Sequence, residues 1–429
     1  MIANGKPKVN VEGGKLAKKF PKNILSKIKT WHIFLSLGLF SVVLGYISVA
    51  PPTDLPSWPL YRLNSKVWQS FENWGKHVKP YHIRVMTTAV QHLESRALYM
   101  ITYLNVPDIL HRVEKPLSCE ELKELVDQES GLEPISLPFL CRILHAASHF
   151  DILQEAHEHK YDLTPLSQYL VASHPRSLKH YVLLYAGDES LVISTALSRS
   201  LYSGLSGFKE TYRKELLPQL KEDPVFREIY DRGLGDSSRL HAPAIIADYP
   251  PFSSCKHICD IGGGMGSFLH EVLTYYAHGI EGTNFDLPDV ITNAKGFLKG
   301  KADGAKINLI AGNFTKQLPK TSCDCFILKD ILQNWSDEDA ALILSNLYGV
   351  VNKGNRVLVI ETILHTGSFS EERLKSLMDL TMMAFNPSHS RLRTEEEIYF
   401  LLEQSGFVEA QTYPTRAGYS IVEAFPTKS

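Results

Sequence analysis

The run Asp260-Ile-Gly-Gly-Gly-Met-Gly266 follows a short apolar stretch and precedes an amphipathic one, a pattern typical of the turn between a first β-strand and a helix. Glycines in such a turn let backbone amides approach a ligand, and the N-terminus of the following helix favours negative charge. The spacing excludes the dinucleotide fingerprint G-x-G-x-x-G, because the sixth place counted from Gly262 is Ser267. The run therefore predicts a cofactor site of another kind.

Beyond Ala242, short apolar runs alternate with amphipathic segments, which is the pattern of a parallel β-sheet with helices on its faces. Ser336 and Thr394 each stand three residues before an acidic side chain and indicate helix N-caps. The predicted strands are 256–261, 280–285, 307–310, 323–328, 356–360, 408–413 and 419–424. Between residue 80 and about 240 the pattern is helical instead.

Two positions after the next predicted strands fit the nucleoside part of a cofactor. Asp286 ends the second strand and is placed to accept hydrogen bonds from ribose hydroxyls, with a strand-end helix cap as its alternative role. Asn313 and Phe314 follow the third strand and offer an amide and an aromatic face to adenine. A place in the hydrophobic core is the alternative for Phe314.

At these positions the chain resembles the plant and animal small-molecule O-methyltransferases, including the caffeate and acetylserotonin types. The likeness runs from about residue 81 to residue 424. The matching C-terminal segments are 260–266, 284–288, Lys329 with 334–338, 359–361, and Asn386-Pro387 before Arg393-Thr394. Upstream, residues 104–110, 140–144 and 161–164 are similar to that family's helical, winged-helix dimerisation domain.

The resemblance implies an α/β Rossmann-like methyltransferase domain behind an all-α, winged-helix-type dimerisation domain. It also implies a homodimer that acts on a small-molecule acceptor with S-adenosyl-L-methionine as cofactor. No metal site is expected, because His157 and His159 lie at the predicted tip of the wing hairpin and favour a solvated turn. The residues implied to bind the cofactor are Asp260, Gly262, Gly264, Gly266, Asp286, Asn313, Phe314 and Lys329. Asn313 stands where the family usually has Asp, and its oxygen can still accept from the adenine amino group. We expect Trp335, Met383 and Asn386 to contact the acceptor.

The catalytic base of that family is missing from this chain. In the family, His-Asp precedes the Trp-Ser-Asp-Glu run and the His takes the proton of the acceptor hydroxyl, but here the pair is Gln333-Asn334. An amide has no usable basicity. A second family carboxylate is replaced by Leu392 or Arg391, whereas Glu361 matches the one that orients the His. The possible replacement bases on segments near strand ends are Asp330, Glu361, His365, Asp379 and His389.

The leading hypothesis is methyl transfer to a hydroxyl of a small, aromatic or lipophilic acceptor. Holding two reactants in line lowers the activation barrier by about 7–11 kcal/mol, whereas a general base accelerates a reaction by ~10²–10⁴-fold. Positioning alone could therefore still drive methyl transfer to an ionised acceptor or a neutral amine. Two alternatives are a family member that binds the cofactor without methyl transfer, and a non-methylating reaction in the same pocket. Intact glycines with Asp286 favour cofactor binding, while Gln333 and Leu392 keep both alternatives open.

The first fifty residues lie outside this resemblance. Residues 1–30 hold eight lysines against one acidic residue, and residues 31–50 contain no Asp, Glu, Lys or Arg. At ~1.5 Å per residue, such a segment is long enough to cross a ~30 Å hydrocarbon core. We therefore expect a membrane anchor, either single-pass or monotopic, and no nucleic-acid partner. The lysines favour a cytosolic N-terminus, which for a full crossing would place the catalytic domain on the far side.

Two observations nevertheless favour a cytosolic catalytic domain. The six cysteines are scattered and are predicted to be buried free thiols of a reducing compartment. The triplets Asn313-Phe-Thr315 and Asn334-Trp-Ser336 would be glycosylation acceptors in a secretory lumen, within the expected active site. The predicted divisions are a basic tail (1–30), a membrane helix (31–50), a linker (51–79), the dimerisation domain (80–240) and the methyltransferase domain (241–429).

Overall fold

The computed structural model describes residues 57–131, 133–276, 279–299, 301, 306–366, 369–385, 387 and 389–427. Within these ranges, no helix is long and apolar enough to span a membrane. The predicted membrane segment at 31–50 and the predicted acceptor contact Asn386 lie outside them. Residues from Gln69 onward form one compact unit, and the part of the first helix before Gln69 belongs to a separate one.

The N-terminal half is built of helices, as the sequence pattern predicts. They are α1 (Trp58–Val78), α2 (Tyr81–Val90), α3 (His92–Tyr103), α4 (Val106–Val113), α5 (Cys119–Ser130), α6 (Leu137–His149), α7 (Pro165–Gln168), α8 (Lys179–Tyr185), α9 (Asp188–Thr195), α10 (Leu197–Ser203), α11 (Gly207–Tyr212), α12 (Leu216–Glu222) and α13 (Pro224–Asp248). Ser118 and Glu121 form a capping box at the start of α5. Ile101, Leu122 and Leu144 are fully buried in the core between α3, α5 and α6.

A two-stranded antiparallel hairpin interrupts these helices. Strand β1 (Leu153–Ala156) pairs with β2 (Lys160–Leu163), and Tyr161 also forms a bridge with Leu117. The short 3₁₀ turn His157–His159 joins the two strands. A hairpin packed beside a small helical bundle is the wing of a winged-helix domain, so the fold predicted for this half is confirmed.

The C-terminal half contains a seven-stranded sheet with the strand order β5-β4-β3-β6-β7-β9-β8. Its strands are β3 (His257–Ile261), β4 (Glu281–Asp286), β5 (Ile307–Ala311), β6 (Cys325–Lys329), β7 (Arg356–Glu361), β8 (Phe407–Pro414) and β9 (Ser420–Pro426). Strands β3 to β7 pair in parallel, and β9 lies antiparallel between β7 and β8. The helices of this half are α14 (Ser267–Tyr275), α15 (Pro288–Lys299), α16 (Asp337–Val350), α17 (Phe369–Phe385) and α18 (Glu395–Gln404). All the predicted strands are present, with ends shifted by a few residues.

The central strands are buried on both faces of the sheet. Ile258 and Ile360 pack into the hydrophobic cluster on one face, and Cys259 and Val359 pack into the cluster on the other. Helices cover both faces of a parallel sheet, so its strands carry continuous apolar runs instead of alternating ones. This burial explains why the strands could be recognised from short apolar runs.

Both predicted N-caps are confirmed. Ser336 Oγ accepts a hydrogen bond from the Asp339 backbone N–H at 3.1 Å, and Thr394 Oγ1 accepts one from that of Glu397 at 3.3 Å. Thr394 and Glu397 form a full capping box. The caps fix the starts of α16 and α18, and therefore one end of each loop that precedes them.

Helix α13 runs without interruption across the predicted domain boundary at 240–241. Its last residue, Asp248, accepts hydrogen bonds from Arg416, which lies in the turn between β8 and β9. The helix thus links the N-terminal helical part to the antiparallel edge of the large sheet.

The six cysteines form three disulfides, so the prediction of free thiols is wrong. The pairs are Cys119–Cys141, Cys255–Cys325 and Cys259–Cys323. The second and third both link the β3 segment to the β6 segment, and they lie in hydrophobic clusters on opposite faces of the sheet. Disulfides persist in oxidising compartments, so one of the two observations that favoured a cytosolic catalytic domain is removed.

Candidate active site

The carboxyl ends of the parallel strands meet at one edge of the sheet, and the predicted site residues lie there. The chain passes from β3 outward to β4 and β5 and then returns to β6 on the other side of β3. A reversal of this kind leaves a ligand-binding crevice at the carboxyl ends of the strands. The glycine run follows β3, Asp286 ends β4, Lys329 ends β6 and Glu361 ends β7. The fold therefore brings these predicted residues to the same crevice.

The glycine run turns sharply because three of its residues have left-handed backbone angles. The angle φ is +75° at Gly262, +58° at Gly264 and +76° at Gly266. Other residues adopt this region at a cost of about 1–2 kcal/mol. A side chain at Gly262 would collide with Ile331 and crowd Phe314. A Cβ on Gly264 would meet no described atom within 4 Å, so the loop faces open space at that residue.

Asp286 supports the glycine loop from the end of β4. Its Oδ2 accepts a hydrogen bond from the Gly264 backbone N–H at 2.9 Å, and its Oδ1 accepts one from the Leu287 N–H at 2.7 Å. Burial raises the pKa of the Asp286 carboxyl, although these hydrogen bonds oppose the rise. Each oxygen keeps a second lone pair, so the predicted role toward ribose hydroxyls stays available.

Three buried acceptor oxygens on β3 and β4, next to the glycine loop, lack a hydrogen-bond partner within the described ranges. They are both carboxylate oxygens of Asp260 and the Oδ1 of Asn284, whose Nδ2 donates to the Gly264 carbonyl at 2.9 Å. Burial raises the pKa of Asp260 to about 7, against the opposing charge of Lys329. Each unpaired buried acceptor costs about 1–3 kcal/mol. The ammonium of an S-adenosylmethionine would supply both donors and positive charge, so the residues present fit this cofactor.

The turn after β5 places Phe314 beside the glycine loop, whereas the Asn313 side chain forms its hydrogen bonds within the turn itself. Asn313 Oδ1 accepts hydrogen bonds from the Thr315 backbone N–H at 2.9 Å and the Thr315 Oγ1 at 2.7 Å. Both lone pairs of that oxygen are thus used within the turn. The Phe314 ring is edge-on to Trp335, with centroids 6.0 Å apart. Phe314 therefore lies beside the glycine loop and also packs against the hydrophobic core, so its contact with adenine stays a prediction, whereas the Asn313 oxygen is already occupied.

A charged and aromatic cluster follows β6. Lys329 Nζ pairs with Asp330 Oδ2 and lies 4.6 Å from the centre of the Tyr419 ring. The Tyr419 hydroxyl donates to the same Asp330 oxygen at 3.2 Å. The Asp330 backbone is left-handed, with φ +56°, which is uncommon for a residue other than glycine. Tyr419 comes from a distant part of the chain, so its contact with Asp330 was not predictable from the sequence.

Gln333 occupies the position of the missing base. Its backbone N–H donates to Glu361 Oε1 at 3.0 Å, and its side-chain Nε2 donates to Asp330 Oδ1 at 3.2 Å. Gln333 Oε1 and Glu361 Oε2 are buried, and neither has a hydrogen-bond partner among the described residues. Burial raises the pKa of Glu361 to about 7, while the hydrogen bond from Gln333 opposes the rise. The position therefore holds two unused oxygen acceptors and no basic nitrogen.

Arg393 holds the loop that carries Gln333. Its guanidinium is fully buried and donates to the carbonyls of Leu332 at 2.6 Å and Trp335 at 2.8 Å. It also forms an ion pair with Asp337 at 2.8 Å. Because the five donors of a guanidinium form a rigid planar fork, these contacts fix the path of the loop. In the sequence, Arg393 stands out only as part of a matching segment.

The remaining predicted site residues are only partly brought to the crevice. Trp335 lies beside Phe314, but Met383 is 37% exposed on α17. Among the candidate replacement bases, the Asp379 carboxylate accepts a hydrogen bond from the Leu392 backbone N–H at 2.9 Å. His365 and His389 are exposed to solvent. Asp330 and Glu361 are the candidate bases that stay at the strand ends.

Aromatic side chains gather on the side of Asp330 that faces the helical half. The rings of Tyr181 and Tyr185 lie 4.7 Å apart, and the Tyr185 ring is edge-on to Phe385 at 5.9 Å. Burial raises the pKa of Tyr185, and the proximity of Tyr419 and Asp330 raises it further. The crevice is therefore bordered by half-buried tyrosines on this side.

Comparison with known families agrees with this arrangement. The family model described as an O-methyltransferase dimerisation domain matches residues 86–173, and the model described as an O-methyltransferase domain matches residues 195–408. Together the two matches account for more than two thirds of the chain.

Individual relatives are distant but match along most of their length. (R,S)-Reticuline 7-O-methyltransferase of Papaver somniferum is 27% identical over 78% of this chain and 94% of its own. The 8-amino-8-demethylriboflavin N,N-dimethyltransferase of Streptomyces davaonensis is 27% identical over 76% of this chain and 90% of its own. The crystal structure of human N-acetylserotonin methyltransferase in complex with SAM aligns with a TM-score of 0.72 and 23% identity, covering 81% of this chain and 98% of that one.

The strand order, the glycine-rich turn after β3 and the acidic end of β4 define an S-adenosylmethionine-binding methyltransferase fold. With a helical dimerisation domain in front of it, the chain belongs to the S-adenosylmethionine-dependent O-methyltransferase family. It departs from that family's pattern at Gln333, where the base is absent.

Substitution by alanine at Gly263 and at Gly264 will distinguish an effect on internal packing from an effect on cofactor binding. A Cβ at Gly263 would lie 2.6 Å from the Asp260 carboxylate, so we expect Gly263→Ala to lower the free energy of unfolding by about 1–3 kcal/mol in urea titrations. The Cβ of Gly264→Ala enters open space, so this variant should lose only the roughly 1–2 kcal/mol of its left-handed backbone, remain folded and bind S-adenosylmethionine about tenfold more weakly by calorimetry. Unchanged affinity in Gly264→Ala would place the cofactor elsewhere.

The buried carboxyl of Asp260 will make the stability of the ligand-free protein depend on pH. Its folded pKa of about 7 exceeds the ordinary value of 3.8, so its contribution to stability is full below pH 4 and is lost as the pH rises through 7. We expect Asp260→Asn to reduce the fall in the urea midpoint between pH 5 and pH 8. An equal fall in the variant and the wild type would contradict the buried, unpaired state of Asp260.

Proposed function

We propose that this protein transfers the methyl group of S-adenosylmethionine to a heteroatom of a small aromatic or lipophilic acceptor, as a membrane-tethered homodimer. The observation that carries the proposal is the group of buried, unpartnered oxygens of Asp260 and Asn284 beside the glycine loop, at the point where the strand order reverses. The match of residues 86–173 to the family's dimerisation domain supports the homodimer.

The residues of this chain would bind and orient both reactants. Asp260 and Asn284 are placed to accept from the methionyl ammonium, Asp286 from ribose hydroxyls, and Phe314 to contact the adenine ring. When bound, the cofactor supplies a methyl group activated by its positively charged sulfur. Placing a nucleophile in line with that methyl group contributes about 7–11 kcal/mol without any base. Positioning is therefore the main contribution of this site.

Several features support an aromatic acceptor. Tyr181, Tyr185 and Phe385 give the crevice an aromatic border, and aromatic rings prefer offset or edge-on contacts with one another. A hydroxyl is the acceptor group expected from the family. The names of two relatives state that one methylates oxygen of reticuline and the other methylates nitrogen of a riboflavin derivative. Both heteroatoms are therefore compatible with the fold.

We also propose that residues 31–50 anchor the protein to a membrane and that the catalytic domain faces the cytosol. Asn334 supports this side, because its half-buried Nδ2 donates to the Asp330 carbonyl at 2.7 Å and a glycan attached there would occupy the proposed active site. The three disulfides favour the opposite side. The two observations therefore point to opposite sides of the membrane, and glycan content and protease access distinguish them.

Transfer will be tested with the full chain in detergent micelles. We expect calorimetry to detect S-adenosylmethionine binding, and labelled methyl to appear in part of an aromatic acceptor panel. Gln333→His should raise kcat/KM for phenols by about 10²–10⁴-fold, because Glu361 Oε2 is free to orient the new imidazole. Binding without transfer to any acceptor would favour a non-catalytic protein, and absence of binding would overturn the proposal.

The side of the membrane will be tested by protease protection and glycan analysis of native membranes. A cytosolic catalytic domain should be digested by protease added outside sealed vesicles and should carry no glycan at Asn313 or Asn334. A domain on the far side should be protected until detergent opens the vesicles and should carry glycans that an endoglycosidase removes. The second pattern would overturn the cytosolic placement and leave the membrane anchor intact.

A further inference from the structure

The side-chain amide of Gln333 has one allowed orientation. Its Nε2 lies 3.2 Å from Asp330 Oδ1, and a carboxylate accepts hydrogen bonds but does not donate them. If the amide were turned over, two oxygens would face each other. The other Asp330 oxygen is engaged by Lys329 and Tyr419, which holds the carboxylate in place. Gln333 Oε1 is therefore directed away from Asp330.

That oxygen is a strong acceptor without a donor. Gln333 is 5% exposed, and within the described parts of the chain its Oε1 has no hydrogen-bond partner. The loop that carries it is held by Arg393 through the Leu332 and Trp335 carbonyls, so the amide is fixed before any ligand binds. A fixed, buried and unpaired acceptor selects a ligand that brings a hydrogen-bond donor, because any other ligand leaves it unsatisfied.

The identity of the reacting heteroatom changes what this oxygen can do. A hydroxyl must lose its proton as the methyl group arrives, and an amide oxygen cannot take that proton. An amine reacts through its lone pair while its N–H groups remain, so an N–H can donate to the amide oxygen throughout the reaction. Gln333 is unsuited to the first chemistry and suited to the second.

We propose that the acceptor is an aromatic amine and that its N–H donates to Gln333 Oε1; the inference rests on the proposed methyl transfer. The nitrogen lone pair forms the new N–C bond as the C–S bond breaks and its electron pair stays on sulfur. The positive charge passes to nitrogen, and the methylated ammonium gives its proton to water after release. Aromatic amines are neutral near pH 7, so the lone pair is available without a base.

Asp330 acts in this scheme as a positioning residue. It contacts the Gln333 amide, and its own backbone is held in the left-handed region at φ +56°. Strain of this kind persists where surrounding contacts fix the residue. Tyr185 lies on the same side of the crevice, where burial and the Asp330 charge act on its hydroxyl. The amine would thus lie against aromatic rings, with its N–H groups toward the strand ends.

The test compares matched acceptors that differ only in the reacting group. The full chain is assayed in detergent with labelled S-adenosylmethionine and with 1-naphthylamine against 1-naphthol, and 8-aminoquinoline against 8-hydroxyquinoline. We expect kcat/KM for the amine of each accepted pair to exceed that for the hydroxyl by about tenfold or more. Gln333→Leu should lower the amine value by about tenfold and leave S-adenosylmethionine affinity unchanged. Gln128→Leu, the same change on an exposed face of α5, should alter neither.

Each result has a distinct meaning. Faster methylation of the hydroxyls by the wild type would overturn the inference but keep the proposed methyl transfer. An amine-to-hydroxyl ratio that does not change in Gln333→Leu would also overturn it, because a purely structural role for Gln333 would lower both rates together. Cofactor binding with no transfer to either group would overturn the proposed function itself, and the inference with it.

Discussion

The parallel pairing of β3 with β6 determines where everything else at the site can lie. Ile258 pairs with Cys325 and Asp260 with Ile327, so the glycine turn and Lys329 emerge side by side. Helices cover both faces of these strands, and the sheet edge is the open approach to their carboxyl ends. The pairing thereby sets the floor of the crevice and the spacing between its cofactor side and its acceptor side.

Local sequence patterns were sufficient to predict the sheet and the cofactor half of the site. The apolar runs, the spacing of the glycines and Asp286 depend on backbone conformation within a few residues, which a single sequence reveals. The orientation of the Gln333 side chain could not be predicted in this way, because it depends on a contact between Asp330 and Tyr419, which are distant in sequence. Two of the three cysteine pairs were missed for the same reason, since their partners, 64 and 70 residues apart, become neighbours only when β3 and β6 align.

The acceptor half of the site combines a firmly held loop with a side chain that is not the base expected from the family. Arg393 and the cap at Thr394 still fix the loop that carries position 333, and Glu361 still accepts a hydrogen bond from that loop. What differs from the expected pattern is the side chain at position 333, which is Gln instead of His, and the residue that orients it, which is Asp330. Asn313 shows a smaller change of this kind, because Thr315 engages the oxygen expected to meet adenine. The site is therefore best described as a fixed loop whose donors and acceptors differ from those that the resemblance implies.

The two cross-links between the β3 and β6 segments limit how the enzyme can exchange its ligands. Cys255–Cys325 and Cys259–Cys323 each join one of the two strands to the residues just before the other, on opposite faces of the sheet, and so hold β3 and β6 in register. Strands β3 and β6, which form the floor of the crevice, therefore stay fixed while both disulfides are intact. The crevice must then open for ligand exchange through movement of the loops and helices that border it.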